Sequence, residues 1–238
     1  MASRAEPVPG FAATLRLAAT DGYAESLRLL AANVAWGISA LVWAAAVVTV
    51  PPLVLTAPLL ALPTAALFAL TTAIARGTRI DLGAALGIWR HRALAVRILG
   101  LAAAGLAAAA VLVLDLVVGL TSATPIGWAF ATVAAWGLLA LWLVGWATAP
   151  LLLDPTRADQ PVRDRLVLAA LVVLAHPFRS LAMGTLLAVL FVVSTVAVLP
   201  LLTVSVAIAA LVSTRSTLPL ADRLERRRLE RAEVPTAS

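Results

Sequence analysis

Cysteine is missing from this chain, which excludes disulfides, thiolate metal sites and cysteine nucleophiles. Lysine is missing as well: all 18 basic residues are arginine, a bias read as genomic base composition and not as chemistry. Charge of either sign is scarce, at 13% of 238 residues against 62% hydrophobic ones. With a mean hydropathy of +1.01, that balance is incompatible with an ordinary soluble domain and predicts an integral membrane protein. Only two histidines occur, His91 and His176, and they are not spaced as a metal pair. The His-Glu-x-x-His, Gly-x-Ser-x-Gly and phosphate-cradling Gly-Lys-Ser/Thr motifs are absent too. Asp154, Asp159 and Asp164 are interleaved with Arg157, Arg163 and Arg165, a pattern of local ion pairs and helix-start charges and not of a cation site. The expectation is a protein that is not an enzyme and holds no cofactor and no metal.

What the chain does have is long apolar runs punctuated by arginine. The stretch Arg76 to Arg97 carries five arginines and a histidine between two such runs and is therefore expected on the cytoplasmic side. Six spans then follow, at about 29–50, 53–75, 98–120, 126–153, 181–199 and 201–217, each near the ~20 residues that a ~30 Å hydrocarbon core requires. The turns expected outside, at Pro51-Pro52, Thr121 to Pro125 and Pro200, hold no arginine, so both termini are expected inside. A five-span chain with a re-entrant final segment is the competing arrangement. The predicted fold is an all-α polytopic bundle, residues 29–220, with a cytoplasmic tail and interfacial segment over 1–28 and a cytoplasmic tail over 221–238. The net charge of +6 borders apolar spans instead of marking the basic face of a soluble element, so nucleic acid is not an expected partner.

Several local readings accompany this plan. No secretory signal is apparent ahead of Leu29, and Phe11 to Arg28 reads as a segment lying along the interface. Pro63 lies inside the second span and is expected to kink it. Gly100, Ala104, Gly105 and Ala109 are spaced for close helix approach, so the inner half of the third span should pack tightly. Trp128 and Trp146 fall near the ends of the fourth span, as interfacial belts would place them. Leu82, Ala85, Leu86 and Trp89 repeat at helical spacing after Asp81, a candidate N-cap. Arg215 is expected to snorkel toward the cytoplasm. The tail from Asp222 reads as a short solvated helix with pairs Asp222/Arg226 and Arg226/Glu230.

The order Asn33-x-x-Trp36, then Pro63-Thr64-Ala65-Ala66-Leu67-Phe68, Arg76-Gly77, Trp89, Arg97 and Asp115 resembles the YesL-like family of small bacterial membrane proteins, a domain of unknown function. The likeness covers roughly Tyr23 to Arg228, and its most specific element is the Pro-x-Ala-Ala-Leu-Phe stretch. The alanine-rich third span and the proline-bearing outer turn depart from the family pattern. Members have no established biochemical activity. Their frequent neighbourhood with carbohydrate-uptake genes implies a supporting or transport-linked role.

The resulting expectation is a bacterial plasma-membrane protein that is an accessory or component in solute transport, carbohydrate included. The alternative is a structural or regulatory membrane protein that binds a partner and transports nothing. Expected partners are the lipid bilayer, with anionic lipid drawn to the arginines at ~1 kcal/mol per residue, and a transporter protein. Asp115 and Asn33 are the candidate intramembrane polar site, Pro63 the candidate hinge, and Arg28, Arg97, Arg179 and Trp89 the cytoplasmic interface. For Asp115 two readings stand: a hydrated carboxyl bonded to Thr121 or Ser122, or an inward-facing group marking a polar cavity open to the outside. Asn33 is expected to bond a neighbouring helix.

Overall fold

A computed structural model describes residues 9–78, 81–87, 91–197 and 204–233. Pairing the first helices is a matter of where apolar runs meet proline. α1 (Phe11–Ala24) and α2 (Ser26–Thr49) are separated only at Glu25, whose backbone leaves the helical region. Pro51-Pro52 ends α2, and with Pro58 deprives the next ten residues of ladder donors. The chain there winds as a tight 3-10 helix over Pro51–Leu60 before opening into α3 (Ala61–Arg76). Gly77 closes α3 at a left-handed φ of 68°, and Thr78 N–H donates back to the Ala73 carbonyl at 2.9 Å.

The short α4 (Leu82–Leu86) leads to α5 (Arg92–Thr121) and α6 (Pro125–Leu152). Thr124 starts α6 by accepting the Gly127 N–H at 3.0 Å, with Pro125 at the first helical position. A 3-10 turn (Pro155–Arg157), α7 (Val162–Ala175), α8 (Pro177–Ala197) and α9 (Val206–Glu233) complete the described chain. There is no strand among the described residues, and the all-α fold is as expected. Among the described residues, five helical stretches are long and apolar enough to cross a membrane: Ser26–Thr49, Pro51–Arg76, Arg92–Thr121, Pro125–Leu152 and Pro177–Ala197. These correspond to the first five expected spans.

The bundle is built around α9, which packs against α1, α2, α3, α6, α7 and α8. Its first four turns are almost entirely buried, from Val206 through Leu211 to Ala221. One core cluster joins them to Leu67, Phe68 and Leu70 of α3 and Leu187 of α8; a second joins Leu218 and Ala221 to Leu151 of α6 and Leu168 of α7. The expected sixth span, 201–217, begins outside the described residues. Its described part does not end at Thr217 but runs unbroken through Pro219 to Glu233. The expected separate tail helix is thus the same helix, and its first turns lie inside the protein.

Other expectations are corrected. Gly100 and Gly105 have no neighbour where a Cβ would stand, so the inner half of α5 does not pack tightly within this chain. Close approach occurs at the other end, where a Cβ on Gly119 would stand 2.5 Å from the Gly127 carbonyl oxygen. Trp146 is not an interfacial anchor: it packs with Phe68, Trp142 and Phe191, ring centroids 5.4 to 5.8 Å away. Trp128 is exposed. Segment α1 rests on α9 with Thr14 and Ala18 buried. Asp81 precedes α4 without a side-chain capping bond, and Trp89 lies outside the described residues.

Candidate functional site

Polar side chains collect in two layers around α9. In the apolar interior most find a partner on another element, the buried Thr148 hydroxyl of α6 having none among the described residues. Asn33 of α2 accepts the Ala207 N–H at 2.7 Å, satisfying a first-turn donor that α9 cannot bond internally. Ser194 and Ser205 lie 2.5 Å apart, Thr71 and Thr214 3.1 Å, and Ser213 donates to the Trp146 carbonyl at 2.8 Å. Thr72 donates to the Leu153 carbonyl at 3.2 Å. Trp36 donates its indole N–H to Thr64 at 2.9 Å, locking α2 to α3.

The second layer is an ionic clasp where α3, α6 and α9 meet. Gly77 stops α3 one residue after Arg76, whose guanidinium reaches Asp154 (Nη2 to Oδ2, 2.5 Å) and Asp222 (Nη1 to Oδ2, 2.7 Å). Arg157 donates to Asp154, to Asp222 at 2.5 Å and to Glu225 at 2.6 Å. Thr156 adds backbone and hydroxyl bonds to Asp154, and Gln160 binds Glu225 at 3.1 Å. Burial alone would raise the Asp154 carboxyl, but hydrogen bonds from Arg76 and Thr156 outweigh it and hold it below its ordinary value. Asp222 behaves alike: burial opposes, and bonds from Arg76 and Arg157 prevail. Arg157 is raised despite burial because Glu225 and Asp222 bind its charged form.

Three further arginines fasten helix ends. Arg165 of α7 donates to the carbonyls of Leu152, Ala158 and Gln160 at 2.7 to 2.8 Å, capping α6 where the helix dipole is negative. Arg179 holds the start of α1 through Pro9 O (2.7 Å) and Thr14 Oγ1 (2.8 Å). Arg215 does not snorkel to solvent; it pairs with Asp21 at 2.5 Å and reaches the Ala75 carbonyl.

The expected site residues are therefore dispersed. Asn33 makes the interhelical bond foreseen for it. Asp115 lies on the exposed face of α5 and does not face the interior of the bundle. Its expected bond to Thr121 or Ser122 is also absent, since those hydroxyls bond Val117, Val118 and Gly119 carbonyls. Pro63 is the third residue of α3 but lies inside the continuous helical stretch Pro51–Arg76, so its missing N–H withdraws a donor from that stretch; the change of winding falls upstream, at Leu60-Ala61. Arg28 pairs with Glu25 at 3.1 Å, and Arg97 has no hydrogen bond or carboxylate partner among the described residues.

The clasp is not legible in the sequence, although Arg76 and Asp154 each stand out there on their own. Asp222 pairs with Arg76 and Arg157 and not with Arg226, because the ends of α3 and α6 converge on the middle of α9 there. The one available signal was local: Asp154 followed by Arg157 across a Pro-Thr turn. No group of three or more His, Asp or Glu residues suited to a metal ion occurs among the described residues. Compared with family models, with curated proteins and with solved structures, the chain matches none.

Proposed function

We propose that this chain is a multi-pass protein of a bacterial plasma membrane, with both termini cytoplasmic, that serves as an accessory component in solute transport and performs no catalysis. One observation carries the reading: most polar groups inside the bundle are consumed by bonds around α9, while α5 turns outward a carboxylate, Asp115, that has no partner among the described residues. A carrier needs polar groups lining a path; an accessory needs one on its outer wall. An aspartate at the centre of a bilayer costs ~2.5–3.5 kcal/mol on insertion scales, and less toward its edge. A donor on a neighbouring membrane helix offsets that cost, which makes the Asp115 face of α5 the natural contact for a transporter subunit. The resemblance to the YesL-like family supports the same direction, with a carbohydrate as the candidate solute.

The test is isolation of the wild-type chain from native membranes in mild detergent. A stoichiometric transporter should accompany it, be retained by Asp115→Asn, which keeps hydrogen-bonding capacity, and be lost from Asp115→Leu. A protein that purifies alone and binds a solute saturably overturns the reading. A partner that is not a transporter instead assigns the protein to the structural or regulatory class.

A further inference from the structure

A cleft of about 440 Å³ opens between the first turns of α5, the end of α6 and the start of α7. His91, Arg97, Asp154 and Arg165 line part of it, and Ile98 and Leu101 part of the rest. Beyond Arg97 it adjoins a second open cavity of about 530 Å³ over Gly100, Leu101 and Val162.

The charges in this cleft do not cancel. Asp154 is already held by Arg76 and Arg157. Arg165, 5% exposed, spends its Nη donors on three carbonyls, none of them charged, and its buried Nε has no partner among the described residues. Arg97 is exposed, lines both cavities and stands near enough to make the Arg165 charge less favourable, after burial itself. Asp159 acts on Arg165 in the opposite sense, and Asp164 sits in the first turn of α7. Both α5 and α7 begin at this cleft with no side-chain capping bond, so free backbone N–H groups add positive potential. Two arginines and two helix starts at the mouth, above an apolar wall, make a complement for a phosphate attached to hydrocarbon.

We propose that this cleft binds the phosphate of an anionic phospholipid, with Arg97 as its principal contact and the acyl chain lying over Gly100 and Leu101. This rests on the cleft alone and not on the transport reading. Arg165 supplies field and shape; Arg97, committed to nothing else among the described residues, supplies the direct bond.

The experiment is native mass spectrometry of the full-length protein in neutral detergent, titrated with dioleoyl phosphatidylglycerol and, separately, dioleoyl phosphatidylcholine. One phosphatidylglycerol should be retained with about tenfold preference. Arg97→Gln should lower its affinity about tenfold, equivalent to ~1.4 kcal/mol. Gly100→Phe, placed where a Cβ meets nothing within 4 Å, should block binding while the fold persists. Arg228→Gln, on the exposed distal part of α9, should change nothing. Displacement of the lipid by millimolar inorganic phosphate would keep the phosphate site but overturn the lipid as its occupant. Equal retention of the two lipids, or equal losses in Arg97→Gln and Arg228→Gln, would overturn the site.

Discussion

Asp154 has a side chain with no solvent exposure and accepts from Arg76, Arg157 and Thr156. Replacing it removes one member of a buried charge set and strands the others, a change that costs ~3–5 kcal/mol in comparable cases. Asp154→Asn is accordingly expected to lower stability by that amount in a denaturation series in detergent, whereas Arg228→Gln should shift it by less than ~0.5 kcal/mol. The same carboxylates set the acid response. Asp154 and Asp222 titrate below 3.8 in the folded state, so the unfolded chain binds more protons as pH falls. Their stabilisation is complete above the unfolded value and is lost as pH drops through the folded one. His176 is depressed below 6.5 by burial and then by Arg179, Arg223 and Arg227; with the same sign, it adds an earlier decline beginning near 6.5. Melting temperatures should therefore step down twice on acidification, and His176→Gln should remove only the upper step.

At the level of elements, the hairpin of α5 and α6 depends on two glycines facing each other near its turn. A Cβ on Gly127 would lie 1.7 Å from Ser122 Oγ and 2.7 Å from the Gly119 carbonyl oxygen. Backbone cannot yield as a side-chain tip can, so Gly127→Ala should cost at least the ~1–3 kcal/mol of an overpacked contact. Gly105→Ala, with open space around it, should be neutral or slightly stabilising; paired thermal melts check both. Pro63→Ala restores a backbone donor within the continuous stretch Pro51–Arg76 and should raise the melting temperature slightly or leave it unchanged. Elements themselves were legible in the residues: apolar runs of spanning length, bounded by Pro51-Pro52, Pro125 and Pro177, became helices at those limits. Their packing was less so. Small-residue spacing occurs at both ends of α5, and only the structure tells which end meets α6, since that is decided by the angle set at the Thr121 to Pro125 turn. Trp146 likewise carried no mark distinguishing a belt residue from the partner of Phe68.

For the molecule as a whole, the arginine asymmetry yields a topology that labelling can check. In this cysteine-free chain, single cysteines at Pro52 and Ala123 should react with an impermeant thiol reagent from outside, and those at Thr78 and Ala232 should not. Reaction of the Ala232 variant from outside would require an odd number of spans. The role of α9 was the least legible feature. Its charged second half offers ready neighbours at helical spacing, so sequence alone favours local pairs over the contact Asp222 makes with Arg76, 146 residues away. The clasp was invisible for the same reason: its members come from α3, from the turn after α6 and from α9. That chain order has a consequence for biogenesis. Synthesis delivers α1 to α8 first, and until α9 arrives Arg76, Arg157 and Thr71 face an unfilled centre, with membrane-embedded polar groups seeking substitutes. A nascent chain halted before Val206 is then not a smaller version of this protein but one whose polar groups lack the partners that α9 brings.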